Sequence, residues 1–425
     1  MKNDERRIGL LGAVAIGVGA MVGGGIFAVL GEAVSMAHGG TPIAFLVAGI
    51  LALLTAHSYA KLAVKYPSEG GTVIYLERAF GLGLITRGLN MLLWLSYLIS
   101  LSLYAVAFGA YGATFLPGDD GQNYRHLLIC LAIIVPVAIN LFSSELVSKS
   151  ETFIVIAKIV LLCAIVLVSF DHVDTARFAI AASDSPLTII SAGMIVFITF
   201  EGFELIGNAS QDVKQPDVTL PRAFYIAVIA VLVLYVGISM ITVGTLSESE
   251  IKNAKDFALA EAARPALGEF GFKLVAAAAL LATFSAINAT LYGNARLGFM
   301  LAKERELPKA LEKKIWNDSY LGILIVGFIT LVMANAIDLT AISIIGSAGF
   351  LLIFAAVNLA AFRLSQEIGC NRFIAIIAFV FSLAALVILF VTTWNTSPHA
   401  LAIFAAFVGF SLIFEAVYGR LVTNS

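Results

Sequence analysis

The chain has 425 residues, 60% of them hydrophobic and only 13% charged, with a formal net charge of −2; soluble domains carry about 25% charged residues. That composition excludes a soluble globular protein; the net charge says little about partners, and no nucleic acid is expected among them. It describes a polytopic membrane protein whose partner is the lipid bilayer.

Uninterrupted apolar runs, each long enough to cross a hydrocarbon core of about 30 Å, recur along the whole chain. Twelve spans are predicted, at 8–31, 42–62, 84–115, 126–142, 148–170, 187–210, 222–245, 270–301, 319–336, 338–363, 372–392 and 400–420. They are too long and too uniformly apolar for barrel strands, which alternate over about ten residues. Every backbone polar group in lipid needs an internal partner, so the predicted fold is all helical. The longest pieces outside the spans are 64–83, 248–268 and 302–318, with helical patterning in "AKDFALAEAARPALG".

The first span opens behind Lys2, Arg6 and Arg7. A basic start before an apolar run also fits a cleavable signal, and "EAVSMA" faintly resembles a cleavage site. A signal core is usually about 7 to 15 residues, shorter than this run, and eleven spans follow. The same span holds "GVGAMVGGGIF", residues 17–27. Each glycine weakens a helix by about 1 kcal/mol relative to alanine. Gly19 and Gly23 form a small-xxx-small pair suited to close packing. Consecutive residues advance about 100° around a helix, so Gly23, Gly24 and Gly25 cannot all face one neighbour. A local unwinding accounts for all three, and unwound backbone at membrane depth is tolerated only where it lines an enclosed or watery cavity.

The fifth span carries Lys158 within "ETFIVIAKIVLLCAIVLVSF". It lies about 15 Å from the nearer predicted end by helix rise, too deep for a lysine to snorkel out, so it requires an internal partner. The sixth span contains "ITFEGFELIGNA", with Glu201 and Glu204 flanking Gly202 near mid-depth. An ionisable group at bilayer centre costs about 2.5 to 3.5 kcal/mol on the insertion scale, so neither acid can face lipid. They fit either a structural pair with a base such as Arg296 or a second broken helix aimed into a substrate or proton pathway.

Two interrupted spans, one opening the chain and one opening a second group of five, point to an inverted-repeat transporter. The predicted halves are 1–170 (helices 1–5) and 187–363 (helices 6–10), with 372–425 holding helices 11–12 and a tail. Of the 26 basic residues, 18 fall on one predicted side, among them Lys61, Lys65, Arg78, Arg87, Lys149, Lys214, Arg222, Lys303 and Arg420. The opposite side mixes Arg125, Arg177, Lys252, Lys255, Arg264 and Lys273 with acids such as Asp119, Asp171 and Asp256. The positive-inside rule then puts both termini in the cytoplasm, in a multi-pass protein of the plasma or inner membrane. Cys130, Cys163 and Cys370 show no disulfide or metal spacing and read as buried hydrophobes. No zinc helix, nucleophile elbow or phosphate loop occurs, so no enzyme activity, cofactor or metal is expected. A channel or a sensor remains formally open, the first lacking countertransport and the second needing a signalling domain.

The segments "GVGAMVGGGIF", "FEGFE", "DVKQPDVTLPRA" and "SAINATLYGNARLGFMLAKERELP" resemble the amino acid–polyamine–organocation (APC) superfamily over almost the whole chain. The resemblance implies the LeuT-type fold, a five-plus-five inverted repeat with broken first and sixth helices plus two extra helices, and transport of an amino acid by alternating access. By position it implies a substrate carboxylate on the amides of Gly23, Gly24, Gly25 and Ile26, and an ammonium near the carbonyls of Phe200, Glu201 and Gly202, with Phe200 or Phe203 as aromatic gate. Free amides at a helix start and free carbonyls at a helix end suit those two charges. The resemblance further places the Lys158 amine where sodium-coupled relatives bind sodium, against the Gly19 carbonyl and the hydroxyl of Thr283 or Ser285. Sodium independence and proton coupling, with Glu204 as a second proton-linked group, are the resulting expectations. An exchanger with a permanently charged lysine, or a transporter of polyamines or basic amino acids drawn by Glu201, are the alternatives. Oligomeric state is left open.

Overall fold

The computed structural model describes residues 8–116, 120–142, 144–179, 185–315 and 321–423. Lys2, Arg6, Arg7 and Asp119 lie outside the described residues, as do the side chains of Lys149 and Arg420. Among the described residues ten helices are long and apolar enough to cross a membrane, and two shorter apolar helices accompany them. An isolated β bridge joins Ile8 and Val213.

The helices run in chain order as α1 (Leu10–Met21), α2 (Gly25–Ala37), α3 (Thr41–Lys65), α4 (Thr72–Phe80), α5 (Leu84–Ala113), α6 (Asp120–Phe142), α7 (Ser144–Ser169), α8 (Pro186–Val196) and α9 (Leu205–Asn208). They continue as α10 (Pro216–Thr245), α11 (Glu248–Asn253), α12 (Ala258–Ala262), α13 (Arg264–Lys303), α14 (Leu321–Ala336), α15 (Leu339–Arg363), α16 (Ser365–Ile368), α17 (Arg372–Thr393) and α18 (Pro398–Thr423). The first predicted span is thus two helices, and the sixth is α8, a 3-10 turn over Phe197–Phe200 and the four-residue α9. α4 is an amphipathic helix inside the stretch 64–83, which hydropathy alone leaves as a loop. The eighth span starts earlier than hydropathy suggests, at Arg264, with a kink at Gly268.

α5 is the axis of the molecule: 94% of its most apolar window is buried, against 22% for α18. Large apolar side chains on the peripheral helices point outward, among them Val160, Leu167, Phe328, Phe373 and Ile413. A soluble monomer seldom exposes so much apolar surface, and lipid is the solvent that accepts it. Cys163 lies on this exposed surface and Cys370 is buried, so the expectation of three buried cysteines holds for Cys370 alone, Cys130 being intermediate.

The two ends of the bundle differ. At one, the Ile8 amide donates to the Asp212 carbonyl and the Lys214 amide to the Ile8 carbonyl, which ties the entry of α1 to the exit of α9. Arg296 pairs there with Glu69, both half-exposed, so it is not the counter-ion of Glu201 and Glu204. At the other end Glu32, at the close of α2, pairs with Lys255 and accepts from Thr340 Oγ1 at 2.9 Å. Gly31 has no room for a side chain, since a Cβ there would sit 1.9 Å from the Lys255 carbonyl oxygen. The 247–263 segment is thereby clasped to α2.

Candidate functional site

α1 stops at Met21 because Val22 leaves helical geometry (φ −78°, ψ 47°), and α2 restarts with Gly24 as an N-cap that offers no side-chain acceptor. The first intrahelical bond of α2 runs from the Ala28 amide to the Gly24 carbonyl, so the amides of Gly25, Ile26 and Phe27 have no helical partner. Each of the three break glycines meets a different neighbour, as an unwound segment requires. A Cβ on Gly23 would sit 3.1 Å from Ala286, one on Gly24 2.5 Å from the Tyr104 ring, and one on Gly25 3.2 Å from the Thr199 backbone.

The freed carbonyls of α1 are capped from distant helices. Lys158, 5% exposed, donates from Nζ to the Gly19 carbonyl at 2.8 Å. Tyr235 donates to the Met21 carbonyl at 2.7 Å and lies 3.3 Å from the Thr199 carbonyl, so a single phenol spans both breaks. Gly19 also lets α1 close on α7, since a Cβ there would meet Val155 at 2.9 Å. Thr283 is buried and donates back to the Ala279 carbonyl at 2.7 Å, while Ser285 is partly buried two residues along the same helix.

In the sixth segment the chain turns at Glu201 (ψ 140°) and Gly202 (φ +117°). A Cβ on Gly202 would meet the Ala20 backbone at 2.8 Å, so the two breaks lie against each other. The Gly202 amide donates to Glu204 Oε2 at 2.8 Å, and Tyr97 donates to Glu204 Oε1 at 3.0 Å. Glu201 Oε2 accepts from Tyr104 at 3.0 Å and Ser100 at 3.2 Å. Ser347 bridges the end of α8, accepting from the Ile198 amide and donating to the Ile195 carbonyl. Phe200 packs edge-on to Tyr235, whereas Phe203 turns into a cluster with Tyr59, Phe224 and Phe354.

The site therefore brings together Gly19 with Lys158, and Gly24 with Glu201 through Tyr104. Tyr97, Ser100, Tyr104, Tyr235 and Ser347 were not singled out from the sequence. A signal for three of them exists: Tyr97, Ser100 and Tyr104 stand at i, i+3 and i+7, a hydroxyl stripe on one face of an otherwise apolar helix. No comparable pattern marks Tyr235 or Ser347. The assembly offers amides without a helical partner on one side, carbonyls and carboxylates on the other, and the Lys158 amine behind them. No group in it is arranged as a nucleophile with a base.

The profile of the amino acid permease family matches residues 8–413. The chain belongs to the amino acid permease family. The permease is 33% identical over 421 residues to the inner membrane transport protein YbaT of Escherichia coli K12, covering 98% of this chain and 97% of that protein. It is 34% identical over 430 residues to the uncharacterized protein MJ0609 of Methanocaldococcus jannaschii, covering 100% and 98%. The chloroplastic cationic amino acid transporter 9 of Arabidopsis thaliana is 27% identical over 328 residues, which is 72% of the permease and 57% of that transporter. Membership in this family makes the permease a transporter and not an enzyme, within the APC superfamily.

Proposed function

We propose that the permease is a secondary active transporter of amino acids that works by alternating access, independent of sodium and coupled to protons. It has twelve spans with both termini in the cytoplasm of the plasma or inner membrane. Residues 1–170 and 187–363 are the inverted halves, and 372–425 stands outside them. The end where α1 begins and where Arg296 meets Glu69 is cytoplasmic. The substrate carboxylate sits on the amides of Gly23, Gly24, Gly25 and Ile26, and its ammonium near the carbonyls of Phe200, Glu201 and Gly202, with Phe200 as the aromatic side of the gate.

The observation that carries this reading is the 2.8 Å bond from Lys158 to the Gly19 carbonyl. A tethered ammonium at the end of α1 supplies the positive charge a bound alkali ion would otherwise provide, and it favours the negative pole of that helix. Its extra proton makes the bond charge-assisted; losing it leaves a neutral amine, a weaker donor, and loosens α7 from α1. Glu204, held by the Gly202 amide and Tyr97, is the second proton-linked group. The test is uptake of labelled alanine into proteoliposomes under imposed pH or sodium gradients. An inward proton gradient is expected to drive accumulation and a sodium gradient to leave it unchanged. Stimulation by sodium alone overturns the coupling, and uptake only against preloaded amino acid, indifferent to pH, identifies an exchanger.

A basic side chain or a polyamine as substrate is favoured by one observation: the Glu201 carboxylate is drawn to Ser100 and Tyr104, and Tyr104 covers Gly24. That puts an anionic acceptor beside the proposed substrate cleft, as a second ammonium requires. The similarity to a cationic amino acid transporter agrees with it. Lysine and putrescine are then expected to compete with labelled alanine, and Glu201→Gln to weaken their competition about tenfold, or about 1.4 kcal/mol. Equal loss for lysine and for neutral competitors removes Glu201 from selectivity.

A further inference from the structure

A second group of acids, with Glu306 buried, Glu77 half-buried and Glu304 exposed, lies away from the substrate site, at the end of the bundle assigned to the cytoplasm. Glu77 on α4, and Glu304 and Glu306 just beyond α13, place one carboxylate oxygen each within 4.8 Å of one another. Two segments distant in sequence are needed to bring them there. Asn90 on α5, fully buried, donates from Nδ2 to Glu306 Oε2 at 3.0 Å, and Arg87 Nε stands 3.9 Å from Glu306 Oε1. Glu415 on α18, 3% exposed, interacts electrostatically with Glu306 and Arg87. The same face of α18 one turn later passes Arg87, since a Cβ on Gly419 would sit 3.7 Å from Nη1.

Five buried oxygens in this group accept no hydrogen bond, Glu77 Oε1, Asn90 Oδ1, both oxygens of Glu415 and Glu306 Oε1, the last with Arg87 Nε no nearer than 3.9 Å. All five are acceptors, and buried acceptors are ordinarily satisfied. The four carboxylates have two guanidiniums among them, Arg87 beside Glu306 and Glu415 and Arg78 beside Glu77. Gathering these groups costs free energy that a cation would offset.

We propose that Glu77, Glu304 and Glu306, with the Asn90 carbonyl and Glu415 behind them, form a binding site for one hard divalent cation such as Mg2+, Ca2+ or Mn2+. The donor set is all oxygen and contains no histidine or cysteine, which is the preference of these ions and not of zinc or copper. Oxygens up to 4.8 Å apart can lie on opposite sides of an ion held at about 2.3 to 2.6 Å. The cation joins α4 to the end of α13 beside α18. α4 in turn touches α9, since a Cβ on Gly71 would run into Asn208 and one on Gly207 into the Tyr75 hydroxyl. Occupancy therefore fixes the platform on which the cytoplasmic half of the sixth segment rests.

The probe is Mn2+ added to the purified full-length permease in detergent, with bound ion counted by loss of the free Mn2+ paramagnetic signal. One Mn2+ per chain is expected, displaced by Mg2+ or Ca2+, and Glu77→Gln and Glu304→Gln should each weaken it about tenfold or more. Glu69→Gln, an exposed acid nearby that pairs with Arg296, should leave binding unchanged. Glu304 is exposed, so Glu304→Gln decides the matter if Glu77→Gln does not yield a folded protein by size-exclusion chromatography. No bound Mn2+ at about 1 mM, the weak end for oxygen sites, overturns the proposal, as does a bound ion indifferent to Glu304→Gln. These results are independent of substrate uptake, so they stand or fall apart from the transport reading.

Discussion

Lys158→Ala is expected to abolish proton-driven accumulation of labelled alanine, with uptake under a pH gradient falling to the level of empty vesicles. The amine lies about 21 Å along α7 from Ser144 by helix rise, beyond the reach of any snorkelling stem, and its side chain is 5% exposed. Removing it takes the donor from the Gly19 carbonyl and leaves a cavity against α1. A buried acceptor stripped of its partner costs about 1 to 3 kcal/mol, enough to shift a conformational equilibrium by one to two powers of ten. Lys158→Arg should not restore transport, because the planar guanidinium cannot take the place of a point charge in so close a gap. Wild-type proton-driven uptake in Lys158→Ala, measured in the same vesicles, would show that the amine is only a packing group.

Gly202→Ala is the second large effect, and its cause is steric. Gly202 holds φ +117°, outside the range of ordinary side chains, and a Cβ there would come 2.8 Å from the Ala20 carbonyl carbon and 2.8 Å from the Met21 amide nitrogen. Both obstacles are backbone, so neither can rotate aside. Strained dihedrals cost about 1 to 3 kcal/mol and overpacking about as much again. Uptake should fall at least tenfold, with reduced thermal stability of the purified protein. Gly293→Ala on α13 is the matched control, because nothing lies within 4 Å of its Cβ position; its stability should stay within about 1 kcal/mol of the parent. If Gly202→Ala transports like Gly293→Ala, the contact between the two breaks is not needed for function.

Much of this molecule is legible without coordinates, and the reason differs from residue to residue. The triple glycine at 23–25 and the pair Glu201 and Glu204 violate the composition of their own spans, so a local rule exposes them. Lys158 is exposed the same way, as a charge deep in a hydrocarbon run. α4 escapes because its nine residues are too short for a hydropathy window and its apolar face is filled by tertiary packing. Tyr235 escapes because a phenol in an apolar helix is unremarkable until the carbonyls of Met21 and Thr199 are found beside it.

The sequence by itself determined a helical, multi-pass membrane protein, the approximate extent of its helices, and the two places where a helix cannot continue. Those properties follow from hydropathy and backbone propensity, which act over a few turns of chain. Only the tertiary structure decided where Lys158 donates, that Arg296 pairs with Glu69 instead of the intramembrane acids, that Glu201 turns toward Tyr104, and that Glu77 comes beside Glu306, which Asn90 holds. These are pairings between residues far apart in the chain. The side chain type permits many such partners, and only the packing of helices around α5 selects one.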